Sequence, residues 1–186
     1  MAEERRREIS DPEALEALAH PVRLDILGYL MSRGPATASA CARAVGDNPS
    51  NSSYHLRILA RYGLVEPVES ADGRERPWRA VFTGISADPD NTATSVAAKA
   101  FTGASLQLDY QLAREALNRV DADPAWQGAE AYSAYALAVT PDELRSLVSA
   151  VDALLRPYIA ATRDDAPAEA GIAYCSVTAF ARPTFG

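Results

Sequence analysis

Cysteine, histidine and methionine are scarce in this chain, with two of each among 186 residues, and Lys99 is the single lysine among 18 basic residues. Cys41 and Cys175 lie far apart without a CxxC pair, and no histidine follows His55. That pattern suggests neither a zinc site nor a disulfide framework, and no metal is expected. Long apolar runs are missing too: nothing approaches the roughly 20 residues that a membrane span requires. The charged N-terminus MAEERRREIS is not followed by the apolar segment of a signal peptide. A soluble, cytoplasmic protein is expected. Absent as well are a GxSxG elbow, a phosphate-cradling glycine loop and an HExxH pair. Neither an enzyme nor a cofactor is therefore expected.

What is present is a hydrophobic content of 48%, enough for a real core in one large domain or two small ones. The net charge of −7 is unevenly placed. Residues 1–82 carry eleven arginines against twelve acidic residues, whereas residues 83–186 carry seven basic and thirteen acidic ones. The acid sits mostly in the second half, so the net charge does not exclude a nucleic-acid partner for the first. The N-terminal run alternates Arg5, Arg6 and Arg7 with Glu3, Glu4 and Glu8, which reads as a solvated or helical extension rather than a DNA arm.

Ser10-Asp11-Pro12-Glu13 matches a capping box, with Ser10 as N-cap of a helix to about Ala19. Pro21 starts a second helix whose apolar face is Val22, Ile26, Leu27, Leu30 and Met31, ended by Gly34-Pro35. Thr37 caps a short third helix with Cys41 and Val45 inward and Gly46 as its stop. Cys41 is read as core. His20, in the Ala-His-Pro turn, is read as a capping or hydrogen-bonding side chain.

The stretch NPSNSSYHLRILARYGLVE follows. Asn48 is an N-cap and Pro49 suits the first helical position, so a helix is predicted from Pro49 to about Tyr62, stopped by Gly63. Its inner face is Leu56, Leu59 and Ala60, with Ser52 and Ser53 near the packing edge. Ser50, Asn51, Tyr54 and Arg57 form the outer face at the N-terminal end. Short hydrogen-bonding side chains with an arginine at a helix N-terminus suit phosphate and base-edge contacts better than they suit mere solubility. His55 reads either as a phosphate contact or as packing against the first helix. A hairpin is predicted next, from Leu64–Glu69 through the turn Ser70–Gly73 to Arg74–Val81. Such a hairpin after a tri-helical element is a wing. Arg74 and Arg76 would project from its tip toward phosphates or a minor groove, with Trp78 packing the return strand on the domain.

Residues 11–82 resemble the winged helix-turn-helix domain of ArsR-like bacterial transcriptional regulators. The resemblance runs through LEALAHPVRLDILGYL, ATASACARAVG, SSYHLRILARYGLVE and GRERPWRAV in order. It implies that the fourth helix lies in the major groove of operator DNA and that two subunits bind a palindrome. By position, that role falls on Asn51, Ser53, Tyr54, His55 and Arg57. Metal-sensing members carry a cysteine pair in the third helix, where this chain has Cys41 alone, so a transition-metal sensor is not expected.

Residues 83–91 read as a linker rich in Gly, Ser, Pro and Asp. From Thr92 to about Val120, apolar residues recur every three or four positions, the pattern of one long helix. Val96, Ala97, Ala100, Phe101, Ala104 and Leu108 are its candidate dimer interface, the alternative being an internal core helix. Beyond Trp126 the pattern is β-α-β: a strand over 131–139, a helix opened by Thr140-Pro141-Asp142-Glu143 and continuing to about Thr162, and a strand over 171–181. The two strands would pair in parallel through the crossover helix or join a sheet with a partner subunit. Trp126, Tyr132, Tyr135, Tyr158 and Tyr174 would line an effector pocket or form the core of a small domain.

The expected architecture is α+β and mainly helical: a winged helix-turn-helix domain over 1–82, a linker and long dimerisation helix over 83–122, and a β-α-β domain over 123–186. The expected function is a homodimeric repressor reading a palindromic operator in double-stranded DNA, released by a non-metal small-molecule effector. A winged helix that binds protein rather than DNA is the alternative.

Overall fold

A computed structural model describes residues 6–69, 76–87, 95–119 and 123–181. The fold is mainly helical with few strands. Strand β1 (Arg6–Ile9) leads into α1 (Pro12–Leu18), α2 (Pro21–Arg33), α3 (Ala38–Val45) and α4 (Pro49–Arg61). The hairpin strands β2 (Val65–Pro67) and β3 (Trp78–Ala80) follow, then β4 (Gly84–Ala87), the long helix α5 (Val96–Leu117) and the helix α6 (Pro141–Leu155).

Local chemistry explains most of these boundaries. Thr37, Asn48, Ser95 and Thr140 each accept a hydrogen bond from a backbone N–H in the first turn of α3, α4, α5 and α6. That bond supplies a donor group with the partner the helix cannot give it. Thr140 and Glu143 complete a reciprocal capping box. At α1 the cap is Asp11, whose carboxylate accepts from the Glu13 amide at 3.1 Å, and not Ser10 as expected. Pro12 occupies the first helical position, which makes the residue before it the cap. Gly46 ends α3 at φ +67°, and Gly63 follows α4 at φ +63°. Both lie in the left-handed region that a Cβ disfavours.

The core belongs to the first part of the chain. Leu15 and Leu18 of α1, Ile26 and Leu27 of α2, and Leu56 and Leu59 of α4 are fully buried together with Cys41. Each large side chain contributes about 1.5–3 kcal/mol by leaving water. Burial pushes the Cys41 thiol up to about 11, consistent with a core residue. β2 and β3 pair antiparallel, Val65 opposite Ala80 and Pro67 opposite Trp78. The Trp78 backbone also exchanges two hydrogen bonds with Ala36, at 2.8 and 2.9 Å, tying the hairpin to the entrance of α3.

Several expectations are corrected. Residues 84–87, read as linker, form β4 and pair in parallel with β1, Arg6 opposite Gly84 and Ile9 opposite Ala87. This partner also makes a strand of Arg6–Ile9, within the N-terminal run read as a solvated or helical extension; the earlier residues of that run lie outside the described ones. The expected dimer stripe packs on its own chain: Phe101 is buried, and Ala97, Ala104 and Leu108 lie against the same core, where α5 meets α1 and α2. Val96 and Ala100 remain exposed. Small side chains at 97 and 104 let that side of α5 approach the domain closely.

The largest departure concerns 131–139 and 171–181, which form no strand and pair with none among the described residues. The expected parallel pairing is not made because neither segment meets a backbone ladder in its own chain. No residue from 123 to 181 is buried. The second segment is held at two points: the Tyr174 hydroxyl donates to the Asp109 carboxylate on α5, and Trp126 covers Gly171, where a Cβ would stand 2.7 Å from its ring. Partial desolvation of its hydroxyl, with the Asp109 carboxylate it donates to, raises the Tyr174 pKa. Tyr132, Tyr135, Tyr158 and Tyr174 are all more than half exposed, so they do not form the core of a small domain within one chain. No helix among the described residues is long and apolar enough to cross a membrane.

Candidate nucleic-acid interface

Helix α4 divides its residues cleanly. Leu56 and Leu59 fix its inner face, Ser52 is fully buried behind them, and Ser50, Asn51, Tyr54 and Arg57 are exposed. The helix therefore stands on the domain surface with its N-terminal turns open to solvent.

That open end is internally braced. The Asn48 side chain accepts from the Asn51 amide at 2.9 Å, and the Asn51 side-chain amide donates to Asp47 at 2.8 Å. The Asn51 side chain and the Asn48 amide together lower the Asp47 pKa, so the carboxylate stays ionised. One turn on, the Arg57 guanidinium donates to the Ser53 hydroxyl at 3.1 Å. Arg57 is thereby held over the exposed face rather than free in solvent. Tyr54, 56% exposed, stands edge-on beside the His55 ring.

His55 is the exception among the expected contact residues. It is 5% exposed, and its ring centroid lies 4.8 Å from that of His20 at the start of α2. A helix turns 100° per residue, and this rotation carries position 55 onto the face shared with Leu56 and Leu59. His55 is a buried packing residue and makes no surface available for a phosphate. Burial is the first cause that lowers the pKa of both histidines; neighbouring Arg23 lowers both further, and His20 also lowers that of His55.

On the hairpin, Arg76 is exposed. Arg74 and the turn lie outside the described residues. Arg79 differs from Arg76: its guanidinium donates to Glu66, its cross-strand neighbour, at 2.7 Å. That guanidinium is therefore already paired with a carboxylate within the hairpin. Arg76, Trp78 and Ser53 share with Thr37 and Ser39 of the α3 entrance a shallow hollow of about 190 Å³. Sequence reasoning used Thr37 only as a cap and did not single out Ser39. The signal available was their position on the first turn of a helix that precedes the exposed one. A second hollow, of about 380 Å³, lies between α1 and the start of α5, against Pro12, Glu16, Val96 and Ala100. Neither hollow includes the aromatic residues of the second half. No group of three or more His, Cys, Asp or Glu side chains is placed to hold a metal among the described residues.

Comparison with known proteins adds a family to this geometry. Residues 18–68 match the family model described as "Helix-turn-helix domain". A structure described as a possible transcriptional regulator for arsenical resistance is 30% identical, over 55% of this chain and 95% of its own, with a TM-score of 0.34. A homodimeric winged helix-turn-helix DNA-binding domain from Mycobacterium bovis, described as a possible ArsR-family transcriptional regulator, is 29% identical over 52% of this chain and 76% of its own, with a TM-score of 0.35. A transcriptional regulator homologue from Pyrococcus horikoshii is 26% identical over 52% and 87%, with a TM-score of 0.33. These TM-scores are low, so the likeness rests on the aligned sequences. No curated protein matches. The family match lies across α2, α3 and α4, so residues 18–68 of this chain form a helix-turn-helix domain, and the solved structures it is similar to are described as transcriptional regulators or possible ones.

Proposed function

We propose that this protein is a homodimeric transcriptional repressor that reads a palindromic operator with α4 and grips the flanking backbone with the β2–β3 hairpin. The observation that carries the reading is the exposed, braced N-terminal half of α4, with Asn51, Tyr54 and Arg57 outward on a helix locked from below by Leu56 and Leu59. An arginine and an asparagine on such a face match the bidentate patterns of guanine and adenine edges in a major groove. Ser50 and Ser53, near the helix start, and Arg76 on the wing supply phosphate contacts. The polar hollow between Ser53, Thr37, Ser39 and Arg76 is the place where one phosphate oxygen would sit.

Twofold assembly follows from economy of recognition, since one helix spans too few base pairs for useful specificity. Two copies of α4 would enter successive major grooves about 34 Å apart. The acidic second half repels DNA in general, so binding depends on a matched site and on salt. Repression would follow from occupancy of promoter DNA. Hydroxyl-radical footprinting on the protein's own upstream region tests this: two protected patches about one helical turn apart are expected. Uniform cleavage at protein concentrations that saturate any binding would contradict it and favour a winged helix that binds protein.

A further inference from the structure

We propose that the segments 131–139 and 171–181 are strands completed by a second copy of this chain, so that the second half folds only as an intermolecular unit. The proposal rests on the twofold assembly above and not on DNA.

The first argument is the state of the second half. Helix α6 has its capping box and an amphipathic sequence, yet no residue of it is buried, nor is any residue from 123 to 181. An amphipathic helix with both its strands unpaired is half of a structure. The accessible surface of the chain is 13128 Å². A compact monomer of 19.9 kDa exposes about 8,700 Å².

The second argument is the chemistry of the segments. Neither 131–139 nor 171–181 contains a charged residue or a proline. Natural edge strands guard themselves with such residues, and these do not. Uncharged segments with apolar side chains at both alternating sets of positions, and exposed to water on both, are suited to strands covered on both faces.

The third argument is area. Tyr132, Tyr135, Tyr174 and Phe180 are 59, 82, 58 and 72% exposed. Covering four aromatic rings to that extent removes roughly 500 Å² from water in each copy. Leu137 and Ile172, each about half exposed, add to it. The sum approaches the ~800 Å² per partner of a standard stable interface.

A second copy fits better than an unrelated protein because the segment contains what it lacks. Two uncharged strands and one amphipathic helix from each copy make a closed, self-complementary sheet and helix layer, as a twofold interface requires. The Tyr174–Asp109 hydrogen bond ties the last segment to α5, and Trp126 covers Gly171, so the segment is anchored while its aromatic side chains stay open to a second copy.

The test uses the full chain. Amide hydrogen exchange is followed through 131–139 and 171–181, and a sample mixing two isotope labels is searched for contacts between copies. Protection of both segments with cross-copy contacts is expected, together with at least a tenfold weaker dimer for Leu137→Asp by light scattering, while the amides of α1 to α4 keep their protection. Unprotected segments in a dimeric sample, contacts only within one copy, or undiminished dimerisation of Leu137→Asp would each overturn the proposal. Protected, cross-paired strands in a protein with no selective DNA binding would sink the DNA reading and leave this one standing.

Discussion

The rings of His20 and His55 lie 4.8 Å apart and tilted by 48°, with the Nδ1 atom of each buried and unpartnered among the described residues. They join the start of α2 to the underside of α4. Arg23 lies beside both, Asp47 alone favours the charged form of His55, and Tyr54 and Tyr62 are near Arg23. Stability should therefore depend on pH. Both histidines have folded pKa values below 6.5, so on acidification the unfolded chain takes up protons first. Their contribution is fully present above about pH 6.5 and is lost as pH falls through the folded values. Urea midpoints at about pH 7.5 and 5.5 should differ, the acidic one lower, and the His20→Gln/His55→Gln variant should narrow the gap. Equal gaps in both proteins would remove the histidines from the account.

Ser52 is fully buried and its hydroxyl has no hydrogen-bond partner among the described residues. An unmet buried hydroxyl costs about 1–3 kcal/mol. Ser52→Ala should leave thermal stability unchanged or raise it. Leu56→Ala, one turn on, opens a cavity instead and should cost about 2–5 kcal/mol. A large loss from Ser52→Ala would mean that the hydroxyl has a partner.

Asn48→Ala removes the acceptor that closes the first turn of α4. A loss of about 1 kcal/mol is expected, and Asn48→Gly should lose only a few tenths. Calorimetric unfolding of the two variants checks the order; equal losses would show that the cap hydrogen bond does not matter.

On the hairpin, two arginines should behave differently. Arg76→Ala removes an exposed charge and should reduce the slope of log affinity against log salt by about 1. Arg79→Ala should change the slope less, because Glu66 already holds that guanidinium. Equal slopes for both variants would contradict this division of labour.

The first half of the fold was legible in the sequence because its signals are local. Proline, glycine and hydroxyl or amide caps set the bounds of α2, α3 and α4 within a residue or two, and the 3.6-residue period placed Leu56 and Leu59 inward. What escaped depends on distant partners. The pairing of 6–9 with 84–87 could not be read from alternating arginine and glutamate, since it is made by the chain 78 residues away. The α5 stripe carried the right period, but periodicity gives a face and not the surface it meets, and Phe101 meets its own domain. His55 was left open between surface and packing, and its ring contact with His20 decides for packing. The apolar character of 131–139 and 171–181 was equally plain in sequence, and pairing within the chain is what the fold does not supply.

The most direct test of the central claim is fluorescence anisotropy of the full chain against its own promoter DNA and a scrambled duplex across a salt series, with Arg57→Ala alongside. The account predicts tight, selective, salt-sensitive binding, and for Arg57→Ala a loss of about 1–3 kcal/mol confined to the matched site, with specificity relaxed at one base position. Equal, weak binding of wild type to both duplexes, or an Arg57→Ala protein with unchanged preference, would contradict it.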